Sequence, residues 1–288
     1  MPSQLPRRDF MKLSVAAGMA GLATIGQAAE ARAADKAPWP FYAFENGLTG
    51  VASPEDQCKL LQELGFDGVE IHLNPAKLPK MLDQLDKHRL KLFGIYTTPW
   101  LEDPLPSDWG DWIKLLKGRE TRIEMAISSR TRKPSDAAGD SMAESLLKKV
   151  SDLCDDTGPI ASVYPHADMW TERVDDGVRL AKRLQRKNVG TNFNLVHWQW
   201  VPQSRPLKTA LQEAIPHLFL VTINGLKGPS TGRQQIRPLD DSDYDLREFL
   251  GVVRDVGYVG PVGLQCWSIA EPPAIHLKRS IESWKRLH

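Results

Sequence analysis

Cysteine is scarce. The 288-residue chain has three, Cys58, Cys154 and Cys266, with no CxxC or CxxxC pair. Such a set cannot form a disulfide framework, and an odd count leaves at least one thiol over, so all three read as buried or half-buried thiols. A long basic stripe is also missing, and the formal net charge is only +1. The electrostatic footprint of nucleic-acid binding is therefore absent. No glycine-rich phosphate turn follows the first strand candidate, which argues against a doubly wound dinucleotide fold. What remains is ordinary in bulk: 41% hydrophobic and 25% charged residues, neither collagen-like nor disordered. The length suits one large α/β domain or two modest ones.

The amino terminus carries an address. Arg7-Arg8-x-Phe10-Met11-Lys12 resembles the twin-arginine export signal of bacteria, with Pro6 where that signal has Ser or Thr. The apolar run from Leu13 to Ala29 is interrupted by Gly18, Gly21 and Gly26, a poor bilayer span. Ala31-Arg32-Ala33 is an A-x-A-like cleavage site. Residues 1–33 are therefore expected to be a cleaved signal peptide and residues 34–288 the mature domain. An uncleaved anchor is the alternative. The expected location is periplasmic, with the twin-arginine machinery as a partner. That route exports folded chains, so it permits a metal loaded before export.

From Phe41 onward, short apolar runs alternate with amphipathic stretches. Strand candidates are 41–47, 68–73, 91–98, 122–128, 160–166, 189–198, 218–225 and 261–267. PEDQCKLLQELG, with leucines at helical spacing and Gly65 as a stop signal, typifies the helices between them. Eight such repeats in this length predict a (β/α)8 TIM barrel, with a doubly wound sheet as the alternative. Strand alternation then sorts side chains. Val69, Ile71 and Leu73 face the helices, leaving Glu70 and His72 inside; Ile123, Met125 and Ile127 leave Glu124 inside. The same test turns Ser162, Tyr164, His166, Asn192, Asn194, Thr222, Asn224, Gln265 and Trp267 inward. His197 is out of step with Asn194 and is expected just past its strand, on the rim. Chemistry in this fold sits at the carboxyl ends of the strands.

LGFDGVEIHL after the first helix, the eight-unit layout and GYVGPVGLQCW near the end resemble the xylose isomerase-like barrels over about residues 39–288. That superfamily includes sugar isomerases and epimerases, inosose dehydratases and endonuclease IV-type repair enzymes. The resemblance implies a divalent ion (Mn, Mg, Co or Zn) held by glutamate, aspartate, histidine and glutamate at the ends of strands five to eight. Those positions map to Tyr164, Asn194, Thr222 (or Asn224) and Gln265. Each expected ligand is replaced by a neutral side chain, and the two proton-moving glutamates go with them. A divalent ion prefers charged oxygens, and amides do not exchange protons near neutral pH. If an ion is held at all, His166, Asn194, His197 and Gln265 are the ligands expected.

Proton transfer then falls to His166 and His197, on adjacent strands, with Glu70 and Glu124 as a further acceptor or, alternatively, as ion-paired core groups. Tyr164, Asn192, Asn194, Thr222, Asn224, Gln265, Trp198 and Trp267 are expected to touch the ligand. Trp100, Trp170 and Trp200 also lie near strand ends, and indole faces suit sugar rings. Basic residues on two mouth loops could take an anion: Arg130, Arg132 and Lys133, or Lys227, Arg233 and Arg237, with Lys227 first. The expected function is a sugar isomerase or epimerase acting next to a carbonyl, its metal site altered or absent. A catalytically silent sugar- or polyol-binding barrel, or a lyase of the same superfamily, is the alternative. The partner is a small carbohydrate, not a nucleic acid.

Overall fold

The computed structural model describes residues 39–229 and 233–287, so the expected signal peptide lies outside the described residues. Eight parallel strands close into a barrel: β1 (Phe41–Phe44), β2 (Gly68–His72), β3 (Lys91–Thr97), β4 (Arg122–Met125), β5 (Ile160–Val163), β6 (Val189–Asn194), β7 (Leu218–Ile223) and β10 (Val262–Leu264). Each pairs with its sequence neighbour, and β10 closes the ring onto β1 with Tyr42 opposite Gly263. Between β7 and β10, strands β8 (Gly225–Lys227) and β9 (Gln235–Arg237) form an antiparallel hairpin outside the barrel. The (β/α)8 fold is as the alternation predicts.

Local signals set the helices that clothe it. In α1 (Pro54–Leu64), the Ser53 hydroxyl accepts the Asp56 N–H at 3.2 Å and Pro54 occupies the first turn. Gly65 ends the helix at φ 87°, a left-handed turn that glycine adopts without a side-chain clash. Further helices are α2 (Leu78–Lys87), α3 (Trp109–Lys114), α4 (Asp140–Cys154) and α5 (Val174–Leu184). The remainder are α6 (Leu195–Trp200), α7 (Leu207–Ala214), α8 (Leu246–Asp255) and α9 (Pro273–Leu287). Their apolar faces and the outward strand residues, Val69, Ile71, Ile123 and Met125 among them, make one large core. A smaller cluster inside the barrel gathers Tyr42, Phe44, Phe93, Ala126, Tyr164 and Leu220.

Alternation sorts the inner set well, and two of its members, His72 and Trp267, are exposed at the cavity mouth. Glu70, Glu124, Asn192, Asn194, Thr222 and Gln265 are all buried, but His72, at the end of β2, is exposed and its Nδ1 lies 3.5 Å from Glu45. Several strands are shorter than the apolar runs suggest, and the 189–198 run shows why. It stops at Asn194, whose Oδ1 accepts the His197 N–H at 3.3 Å and so starts helix α6. An asparagine there is a helix cap as much as a strand residue.

Candidate functional site

At the carboxyl end of the barrel lies a cavity of about 310 Å³. Five aromatic residues, Phe44, Tyr96, Tyr164, Trp200 and Trp267, form much of its wall. His166, His197, Glu70, His72 and Arg233 supply its titratable and charged groups. An apolar wall with a few convergent polar groups is the usual form of a small-molecule site.

The two histidines are held by the backbone of one residue, Ala167. His166 follows β5 in a tight turn closed by the Met169 N–H on its carbonyl and by its own N–H on Thr171 O. His166 Nδ1 is 2.8 Å from the Ala167 carbonyl oxygen. A carbonyl only accepts, so Nδ1 carries the proton and Nε2 is left with a lone pair. The Ala167 N–H, in turn, donates to His197 Nδ1 at 3.3 Å. That nitrogen must be bare, so the neutral ring keeps its proton on Nε2. The rings lie 4.0 Å apart, tilted by 40°. Two imidazoles on the same wall thus present opposite faces of acid–base chemistry, one an acceptor and the other a donor.

Their surroundings keep both neutral. Burial lowers the His166 pKa, with the nearby Arg233 charge adding to it and the Ala167 carbonyl and Asp168 opposing. Burial pushes His197 far below the ordinary imidazole value, and the His166 and Arg233 charges push it further. His197 sits on α6 and is only 4% exposed, so it is buried rather than on the open rim expected from sequence.

Further residues brace this pair. Tyr164 packs edge-on against Tyr96 and His197 at centroid distances of 5.0 and 6.0 Å. Asn194 Nδ2 donates to the Tyr164 hydroxyl. Trp200 meets His197 edge-on at 5.4 Å, and the Arg233 guanidinium stands 5.0 Å above the Trp200 ring while pairing with Asp168. Asp168 itself takes a left-handed φ of 70°, uncommon for a residue with a side chain.

The cavity brings together some of the residues expected from sequence and leaves others out. His166, His197, Glu70, Tyr164, Gln265 and Trp267 line it. Asn192 and Glu124 lie in the barrel interior, where Asn192 Nδ2 donates to Glu124 at 2.8 Å and Asn192 Oδ1 accepts from Ser162. Thr222 and Asn224 are also wholly buried and do not reach the cavity. Trp198 packs on Phe193 at 5.5 Å, behind the site. Lys227 is bound on the hairpin by Asp241 and Asp243, at 3.0 and 3.2 Å, and the cation at the cavity is Arg233 instead. Arg130 is likewise engaged by Asp103 and Trp100, and Arg237 by Asp241. Trp170 is buried, and of the five tryptophans near strand ends only Trp200 and Trp267 line the cavity. Sequence reasoning did not single out Phe44, Asn46, Tyr96 or Ile236. The parity that turned Glu124 inward would have found Tyr96, its register partner; Asn46 sits in a 3-10 turn (Glu45–Leu48) after β1 and Ile236 in the hairpin, beyond the reach of the barrel-strand period.

The pattern of residues 58–287 matches the sequence family described as the xylose isomerase-like TIM barrel. The chain belongs to that family. No curated protein matches it. Solved structures share the fold at low identity. The 3-keto-D-glucoside 4-epimerase YcjR of E. coli is 16% identical, with a TM-score of 0.66 over 86% of this chain and 99% of its own. The probable 3-DHS dehydratase AsbF of Bacillus anthracis is 14% identical, with a TM-score of 0.65 over 85% and 98%. The IolI protein with a bound zinc atom is 14% identical, with a TM-score of 0.68 over 86% and 96%.

Do the residues of this xylose isomerase-like barrel fit such an ion? Their oxygens are already committed. Gln265 Oε1 accepts from Asn46 Nδ2 at 2.6 Å and from the Cys266 and Trp267 N–H groups, both at 3.0 Å. Asn194 uses its oxygen on α6 and its amide on Tyr164. The Tyr164 hydroxyl is held far above its usual pKa by burial, so it offers no phenolate. Among the described residues no group of three or more His, Cys, Asp or Glu side chains could hold a metal ion. The set His166, Asn194, His197 and Gln265 does not fit a divalent cation, which needs charge-compensating donors.

Proposed function

We propose that the chain is an exported enzyme of isomerase or epimerase type that moves a proton at the carbon next to a carbonyl of a sugar or sugar derivative. The observation that carries this reading is the imidazole pair, fixed in opposite tautomers by the Ala167 backbone on an aromatic-walled cavity. His166 Nε2 takes the proton from the carbon, whose bonding pair becomes the enolate double bond as the carbonyl oxygen gains charge. His197 Nε2–H donates a hydrogen bond to that oxygen or its neighbour. Return of the proton to the adjacent carbon, with the hydroxyl proton of the first carbon passing to the other oxygen, completes an isomerisation; protonation of the same carbon by solvent on its other face, while His166 keeps the first proton, is an epimerisation. The aromatic plates suit a sugar ring, and the keto-glucoside epimerase among the fold neighbours supports a keto-sugar as ligand.

The test is proton exchange in D₂O, followed by NMR, with a 3-keto-D-glucoside and a panel of ketohexoses. Deuterium is expected at the carbon next to the carbonyl, persisting in EDTA and lost in His166→Asn. Absence of uptake across the panel overturns the reading. The neutral residues at the strand ends favour a second one, a silent sugar- or polyol-binding barrel. Tight binding without turnover, unchanged in His166→Ala, is its signature. Expulsion of a β-substituent from the same enolate gives the lyase variant, detected as water or alcohol release.

A further inference from the structure

Below the imidazoles, two carboxyl groups share the barrel interior. Glu70 lines the cavity floor and is 1% exposed; Glu124 is fully buried. They crowd the same space. A Cβ at Gly94 would lie 1.7 Å from Glu124 Oε1 and 3.0 Å from Glu70 Cγ, so only glycine leaves room for both. No cation joins them. Arg122 acts on Glu124 only through its field, while the Asn192 amide is the single donor to it. Glu70 Oε2 and Glu124 Oε1 have no hydrogen-bond partner among the described residues. The other titratable groups facing the pair are Tyr42, Tyr96, Tyr164, Glu45 and Cys266; His72, His166, His197 and Arg233 share the cavity with Glu70, and Arg233 is paired with Asp168.

We infer that Glu70 and Glu124 hold at least one proton between them at neutral pH, and that Glu70 is protonated and acts as a neutral hydrogen-bond donor to the ligand's carbonyl oxygen from the cavity floor. Two adjacent carboxylates cannot both ionise in a dry interior without a compensating cation. The direction of both pKa values agrees. Burial raises Glu70 well above the carboxylate range, with the Glu124 charge adding to it, and burial raises Glu124 to about 8. A carboxylic acid kept neutral in this way donates where an ionised one can only accept. The oxygen that gains charge then meets a donor from below in addition to His197 Nε2–H. This assignment rests on the proton-transfer reading for its ligand and departs from the expectation that Glu70 or Glu124 is a proton acceptor.

Infrared difference spectroscopy on the full chain decides it without turnover. A protonated-carboxyl C=O band, sensitive to D₂O, is expected at pH 7, fading on the alkaline side and missing from the E70Q/E124Q double variant. With turnover blocked by His166→Asn, the ketone band of bound 3-keto-D-glucoside is expected at lower frequency than in water. Much of that shift should remain in E70Q, whose amide still donates, and vanish in E70A. No protonated-carboxyl band at pH 7, a ketone band indifferent to E70A, or failure of the probe to bind overturns the inference. Should the wild type exchange no proton with any sugar, the proton-transfer reading falls alone, and the two bands still decide this one. In an active enzyme E70Q should lose about tenfold and E70A about a hundredfold or more. Equal losses would mark Glu70 as a base and sink the donor role.

Discussion

The backbone of a single residue, Ala167, decides what the two imidazoles can do, because its carbonyl fixes one tautomer and its N–H the other. Acid–base function at this scale has a pH signature. Burial holds the His166 pKa below its ordinary value, so its basic form is fully present at neutral pH. As far as His166 governs it, activity should therefore be flat near pH 7 and fall on an acid limb below about 6.5, the unperturbed imidazole value. His166→Asn should cost about 10²- to 10⁴-fold in turnover, and kcat/KM profiles would reveal both effects. The carboxyl pair has the opposite sign. Its folded pKa values are raised, so the native state keeps a proton that the unfolded chain has lost above about pH 4.3. Stability from this source is intact below that value and drains away as pH rises towards about 8, the Glu124 value. The E70Q/E124Q double variant should thus gain on the wild type by about 1 kcal/mol per pH unit or more across that window. Urea unfolding at pH 5 and pH 8 gives the difference, and an equal offset at both would refute the shared proton's role in stability.

At the level of elements, α6 is the device that makes the site. Strand β6 ends at Asn194, and a helix of six residues begins there, swinging His197 back over the barrel. Asn194 serves twice, capping α6 and donating to the Tyr164 hydroxyl. Asn194→Ala should cost about 1–3 kcal/mol of stability, as for a lost cap plus a buried hydroxyl left alone. It should also lower turnover more than binding, because His197 loses its anchor. Asn194→Asp keeps a good cap but not the donor, so thermal melts of the two variants separate the roles. The β8–β9 hairpin matters in a similar way, since Ile236 on β9 and Arg233 just before it reach the cavity while Lys227, on β8, is tied up by two aspartates.

For the molecule as a whole, the address and the barrel are separable propositions. If residues 1–33 direct export, fusing them to a folded reporter should send it to the periplasm. Arg7→Lys with Arg8→Lys should hold it in the cytoplasm, and periplasmic reporter despite the change would remove the twin-arginine reading. Sequence by itself determined the architecture. Eight apolar runs separated by amphipathic stretches, with polar residues in every second place on the strands, dictate a closed barrel and say which residues turn inward. Glu70, Glu124 and Tyr164 were readable for that reason, because a period of two is a local property of the backbone. His72 follows the same rule and lines the cavity, exposed because it stands at the open end of β2. Tertiary structure alone decided which inward groups meet a ligand and which merely brace one another. Asn192 and Thr222 have the right parity but sit too deep, and Arg233 outranks Lys227 only through the path of a hairpin. Depth along the barrel, ring closure and the direction of α6 depend on contacts between residues about thirty positions apart, such as Ala167 with His197, and no local pattern encodes those distances.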